Sequence, residues 1–249
     1  MKNPTSVINQ RRNDIIRYLT NDSTINNDQL AKLLNTSPLT IRRDLQYLEE
    51  QGIVNRYYGG AKIISLEKEV CSNTNKERIA RYAATLIREG DILFINSSST
   101  ALMILDYVGD KRIVVVTNNG NILSKQLHHN IEIMLTGGQV KPDKRSMVGE
   151  FATHLLQNIS ASKCFLGVSG IDYNTGISTE IMQETQINKE MISRTKGNVY
   201  IVAESYKILK ANNFSSGSIE QVSHLITDAN IKEIDRHRFE KANVSVNIV

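Results

Sequence analysis

Thr40, Arg42, Arg43 and Gln46 lie within one seven-residue stretch, and this mix of side chains suits the reading of DNA. Arginine can grip a guanine edge through two parallel hydrogen bonds, glutamine can read adenine, and threonine can meet a phosphate or a thymine methyl. A different chemistry is offered by Asn96-Ser97-Ser98-Ser99-Thr100. Successive backbone N–H groups and hydroxyls ahead of a helix make an anion site, best suited to phosphate. Asn118, in Thr117-Asn118-Asn119, fits either a helix N-cap or a ligand contact. Gly137 and Gly138 permit a tight turn or a close approach of the backbone to a ligand. Beyond them Lys141, Lys144 and Arg145 can offset a phosphate, although for the two lysines solvated loop charge is the simpler reading. No metal or cofactor pattern is present: His128 and His129 are adjacent, and Cys71 and Cys164 stand far apart without a C-x-x-C.

The DNA-reading residues need a helix with one buried face. Ser37 suits an N-cap and Pro38 the first helical position. Ile41, Leu45 and Leu48 then recur at i, i+4 and i+7, an apolar stripe. The opposite face carries Leu39, Arg43 and Gln46, with Thr40 and Arg42 on its flanks. Upstream, Asn26 and Gln29 can form a capping box, Leu30, Leu33 and Leu34 a buried face, and Asn35 a left-handed end. The short turn between the two helices has helix-turn-helix spacing. An earlier helix, near 4–18, adds Ile8, Ile15, Ile16 and Leu19 to the core, with Arg11 and Arg12 as solvated charges. Downstream, two β-prone runs flank Gly59-Gly60, a hairpin that would bring Arg56, Tyr57, Tyr58 and Lys62 to the DNA backbone.

The run S-P-L-T-I-R-R-D-L-Q-Y-L-E-E-Q-G-I-V-N-R-Y-Y-G-G-A resembles the signature of DeoR-family bacterial transcription regulators, with Tyr58 where a His is usual. The resemblance continues motif by motif nearly to the C-terminus. It implies a winged helix-turn-helix head over 1–64 and an α/β effector-binding and oligomerisation domain over 75–249, similar to ribose-5-phosphate isomerase. Residues 65–74, without periodicity, read as the linker. The second domain shows short apolar runs at 92–95, 113–117, 131–135, 164–168, 199–203, 224–227 and 244–249. Helical patterns alternate with them near 99–108, 119–129, 148–158, 180–196 and 231–241, which argues for a mainly parallel sheet.

In such a sheet ligands gather at the carboxyl ends of the strands. The family's effectors are mostly phosphorylated sugars, so the resemblance implies a phosphate site over Ser97–Thr100. It also points to Asp172, in Ser169-Gly170-Ile171-Asp172, and to Lys207, in Ala-Glu-Ser-Tyr-Lys, as the better basic candidate. Two positions depart from the family's Asp-Ser-Gly-Thr-Thr. Asn96 removes a charge, and Ser98 removes a glycine's freedom at positive φ while adding a side chain near the ligand.

Three functions compete: a metabolite-released repressor of a carbohydrate-uptake or catabolic operon, a DNA-binding protein whose second domain only oligomerises, and an isomerase-like enzyme. Acid–base chemistry on a sugar phosphate needs a carboxylate base beside the substrate carbon and a group polarising the carbonyl. Ser169 stands where the resemblance puts the isomerases' first acid, Asp172 alone is a poor acid–base pair, and no enzyme is expected. The expected partners are a double-stranded DNA operator, a small-molecule effector and one or three further copies of the chain, since two heads face a two-fold operator. The 249 residues carry a net charge of +4, and residues 1–64 hold nine basic against six acidic side chains, a mild bias toward nucleic acid. No run of ~18 apolar residues is present, nor a signal-peptide core, which points to the cytoplasm and not a membrane.

Overall fold

The computed structural model describes residues 5–21, 25–50, 53–57, 59–63 and 66–249. The chain divides into two compact units, Met1–Asn73 and Thr74–Val249. Among the described residues no helix is long and apolar enough to cross a membrane.

The first unit holds helices α1 (Thr5–Asn21), α2 (Asn27–Leu33) and α3 (Pro38–Glu50), then strands β1 (Val54–Tyr57) and β2 (Gly60–Ile63) in an antiparallel hairpin. Ile15, Leu19, Leu30, Ile41, Leu45 and Leu48 form its core. The capping box at Asn26 and Gln29 is closed in both directions, and Asn35 ends α2 at φ 46°. Leu33 departs from expectation: it is 51% exposed, and Ala31 is buried in its place. At 100° per residue Leu30, Leu34 and Ala31 occupy one arc, and Leu33 falls outside it. The hairpin is pinned to the start of α2 by Asn27 N–H donating to Gly59 O at 3.0 Å.

Helix α4 (Leu66–Thr85) takes in residues 66–74, which therefore do not form the irregular linker expected from sequence. Leu, Glu and Lys are strong helix formers, and neither Gly nor Pro occurs between 66 and 89. Then follow β3 (Ile92–Ile95), α5 (Ser99–Met103), β4 (Ile113–Thr117), β5 (Ile131–Leu135), β6 (Gln139–Lys141), β7 (Ser146–Val148), α6 (Glu150–Gln157) and β8 (Lys163–Gly167). The chain closes with β9 (Gly170–Asp172), β10 (Gly176–Thr179), α7 (Met182–Ser193), β11 (Val199–Val202), β12 (Phe214–Gly217), β13 (His224–Thr227), α8 (Glu233–Lys241) and β14 (Ser245–Ile248).

Seven strands form one wholly parallel sheet in the order β14-β13-β11-β8-β3-β4-β5. Both faces are covered: Leu93, Ile95 and Phe165 join one apolar cluster, while Phe94, Cys164 and Leu166 join the other. Strands buried on both faces read as continuous apolar runs, which is why they were legible. From β3 the chain builds outward through β4 and β5, then returns to β3's other edge with β8. The crevice between β3 and β8 is thus the topological switch point, where open α/β sheets hold ligands. A three-stranded antiparallel sheet, β12-β10-β9, and the β6–β7 hairpin stand beside the main sheet at that end.

The helix expected over 119–129 is only a 3₁₀ turn, Gly120–Ser124. Its first N–H is used elsewhere: Gly120 N donates to Arg145 O at 2.8 Å, tying the turn to the β6–β7 hairpin. Asn119, rather than Asn118, caps it.

Candidate functional site

Helix α3 presents the residues expected to read DNA. Leu39, Arg42, Arg43 and Gln46 are exposed, and Thr40 is half-buried. Ser37 is the cap, its Oγ accepting Thr40 N–H at 3.2 Å. Arg42 borders a groove against the hairpin with Arg56, Tyr57, Asn27 and Asp28. Arg56 is not free: Glu49 takes its backbone N–H at 3.1 Å and lies 3.7 Å from its guanidinium. Tyr58 lies outside the described residues, as does the side chain of Lys62.

Arg11 and Arg12 are not the solvated charges the sequence suggests. Both chelate Asp44 of α3, at 2.6 and 3.0 Å, and Arg12 also stacks 3.6 Å above the Tyr47 ring. Asp44 is 3% exposed because it lies on the flank of the Ile41–Leu45–Leu48 stripe, and a buried carboxylate needs such partners. The clamp fixes α3 on α1 and so aims the reading face.

A cavity of about 540 Å³ opens at the carboxyl ends of β3 and β8. Asn96, Ser97, Ser98 and Ser99 line it from one strand end and Gly167, Val168 and Ser169 from the other. Asn96 stitches the two together: its Nδ2 donates to Gly167 O at 2.8 Å and its Oδ1 accepts Gly167 N–H at 3.1 Å. A backbone N–H only donates and a carbonyl only accepts, so the amide orientation is fixed. The same Nδ2 donates to Oδ1 of Asn188 on α7 at 3.0 Å. Ser98 adopts φ −69°, ψ 136° and caps α5, so this position demands no glycine. Room for its side chain comes from Gly167, where a Cβ would sit 1.8 Å from Ser98 Oγ.

Helix α7 adds Glu184, whose carboxylate accepts the hydroxyls of Ser97 at 2.9 Å and Thr179 at 3.3 Å. Lys144 and Lys207 supply positive charge, while Lys125, also in the lining, is paired with Asp106 at 2.6 Å. Burial pulls the Lys207 ammonium below the usual lysine range, with nearby Glu204 acting in the opposite direction. Desolvation therefore leaves Lys207 with much to gain from an anion.

Of the positions singled out for the effector, the cavity gathers Asn96, Ser97, Ser98, Ser99 and Lys207. Thr100 is buried behind the loop. Asn118 is buried and holds Met147 O through its Nδ2 at 3.1 Å. Gly137 and Gly138 shape the entry to the β6–β7 hairpin at φ 68° and 100°. Arg145, at φ 52°, reaches Ser124 Oγ at 3.5 Å. Asp172 caps the β9–β10 turn through Asn174 N–H and Thr175 N–H. Glu184, Asn188 and Asn121 were missed; only their polarity could have flagged them. Among the described residues no group of three or more His, Cys, Asp or Glu could hold a metal ion. Burial raises the Cys164 thiol well above its usual range, so it is inert.

Two family models match the chain. The DeoR-like helix-turn-helix domain covers residues 11–67, and the DeoR C terminal sensor domain covers residues 72–229. A putative aga operon transcriptional repressor from Escherichia coli O157:H7 is 30% identical, over 96% of this chain and 93% of its own. The lactose phosphotransferase system repressor of Streptococcus mutans is 28% identical, over 88% and 91%. Among solved structures, ribose 5-phosphate isomerase A of Methanocaldococcus jannaschii aligns at TM-score 0.40 and 15% identity, over 56% of each chain. That last likeness is distant and carries nothing about activity.

Proposed function

The chain belongs to the DeoR family of helix-turn-helix transcriptional regulators, and on that premise we propose that it represses a carbohydrate-uptake or catabolic operon until a phosphorylated sugar binds its second domain. DNA binding and regulation follow from the family; the sugar phosphate and the release are our reading. One observation carries it: a cavity at the switch point of the sheet lined by the cations Lys144 and Lys207, by the carboxylates Asp143 and Glu184, and by a dense set of hydroxyl and amide groups. Its volume is in the range of small-molecule sites, and its lining is that of a ligand with a phosphate and a hydroxylated body. On the same reading the head (1–64) contacts the operator through Arg42, Arg43 and Gln46, and the second domain holds two or four copies together in the cytoplasm.

The test is fluorescence anisotropy on DNA flanking the protein's own gene, with and without a panel of sugar phosphates. Specific binding that one sugar phosphate weakens at least about tenfold, equal to 1.4 kcal/mol of coupling, is the expected result. Specific binding that no sugar phosphate alters would leave a DNA-binding protein without this effector class.

A further inference from the structure

A hydroxyl has one proton to give, and two hydroxyls in the cavity have already given theirs. Ser97 Oγ donates to Glu184 Oε1 at 2.9 Å. Thr179 Oγ1 donates to Glu184 Oε2 at 3.3 Å while accepting Ile181 N–H at 3.2 Å. An ionised carboxylate only accepts, so neither bond can run the other way. Both N–H groups of Asn96 are likewise committed, to Gly167 O and Asn188 Oδ1.

Glu184 lines the cavity at 6% exposure. Among the described residues the ion pairs of this domain join other carboxylates, such as Asp106 with Lys125 and Glu89 with Arg112. Glu184 is instead the third residue of twelve-residue α7, where the helix's first N–H groups favour negative charge. Each of its oxygens retains a lone pair beyond the one already used. A carboxylate withdrawn from water needs donors there.

We infer that Ser97, Thr179 and Glu184 form an all-acceptor subsite that takes hydroxyl or ammonium donors on the body of the ligand and turns its phosphate away. The phosphate falls to the cations Lys144 and Lys207. This deepens the sugar-phosphate reading above and rests on it. It reverses the role of Ser97, which the sequence offered as a phosphate donor. The ligand class is thereby narrowed to neutral or amino sugar phosphates. Aldonic acid phosphates are disfavoured, because a carboxylate placed in this subsite would meet only acceptors.

Calorimetric titration of the full chain tests this with pentose and hexose phosphates, glucosamine 6-phosphate, the matching aldonic acid phosphates and inorganic phosphate. At least one neutral or amino sugar phosphate should bind about tenfold or more tighter than inorganic phosphate and than its aldonic counterpart. Glu184→Gln should cut both ratios below about threefold and leave inorganic phosphate within about twofold of wild type. Ser97→Ala keeps the carboxylate and serves if the Gln variant is misfolded by circular dichroism. It should weaken the sugar phosphate several-fold and leave inorganic phosphate unchanged. Loss of inorganic phosphate binding in Ser97→Ala would make Ser97 a phosphate donor and overturn the subsite. Sugar-phosphate binding with unaltered ratios in Glu184→Gln would overturn the subsite alone. No sugar phosphate surpassing inorganic phosphate in the wild type would overturn the subsite and the sugar-phosphate reading together.

Discussion

Replacing Asn96 by Asp, the acid that the family resemblance implies at this position, should destabilise this protein. The Nδ2 of Asn96 donates two buried hydrogen bonds, to Gly167 O at 2.8 Å and Asn188 Oδ1 at 3.0 Å. A carboxylate there faces two acceptors and donates to neither. Each unsatisfied buried acceptor costs about 1–3 kcal/mol, so the ionised form loses roughly 2–6 kcal/mol. Protonation limits the loss. A neutral carboxyl recovers one bond, and holding it neutral at pH 7 costs about 4 kcal/mol from an ordinary pKa near 3.9. A deficit of about 2–6 kcal/mol at pH 7 is expected, or a melting temperature lower by roughly 4–24 °C. The sign with pH follows from a folded-state pKa raised above the unfolded value. Stability is then retained below about pH 4 and lost as pH rises through the folded pKa, so the gap to wild type should widen from pH 4.5 to pH 7.5. Adding Asn188→Lys puts an ammonium opposite the new acid and one turn beyond Glu184, and should recover at least half the deficit. Denaturant unfolding of wild type, single and double variants at both pH values measures this. A single variant within about 0.5 kcal/mol of wild type, flat with pH, would refute the donor role of Asn96.

Other expectations follow from the two sites. Arg43→Ala should relax discrimination at one operator base pair by about 1–3 kcal/mol, whereas Arg42→Ala should weaken all sequences and lower the salt slope by roughly one phosphate; a base-substitution scan at several salt concentrations separates them. Asp44→Asn should cost the head about 3–5 kcal/mol, because Arg11 and Arg12 lose a buried partner, and should reduce operator affinity without changing sugar-phosphate binding by calorimetry. Lys207→Ala should keep operator affinity and lose the response to effector; lost affinity without ligand, in a folded variant, would make Lys207 structural. Since Lys207 titrates below the usual 10.5, effector affinity should begin to fall at a lower pH than an ordinary lysine allows, and Lys207→Arg should remove that fall.

The strands of the main sheet were legible because Ile92–Ile95, Ile113–Thr117 and Val199–Val202 are continuous apolar runs bounded by polar turns. The side sheet was not. Gly176–Thr179 and Phe214–Gly217 are four-residue strands rich in Gly and Ser, with nothing periodic to mark them. Residues 66–74 misled for the opposite reason, since they carry helix propensity without an apolar stripe. In the cavity, the loop after β3 announced itself by its Ser run. Glu184 and Asn188 did not, because polar residues on an amphipathic helix ordinarily face water, and only folding turns them toward Ser97 and Asn96. The departure at Asn96 was visible in the sequence, but its reason lies in Asn188, on another element.

Control of the DNA-binding head by the ligand in the second domain implies a reciprocal effect, which is its most direct test. If effector weakens operator binding by some factor, operator must weaken effector binding by the same factor. Calorimetry of the effector against the free protein and against the protein saturated with operator duplex gives one ratio; operator anisotropy with and without effector gives the other. Equal ratios of about tenfold or more are expected. Effector affinity unchanged by operator, while effector still binds the cavity, would contradict ligand control of DNA binding.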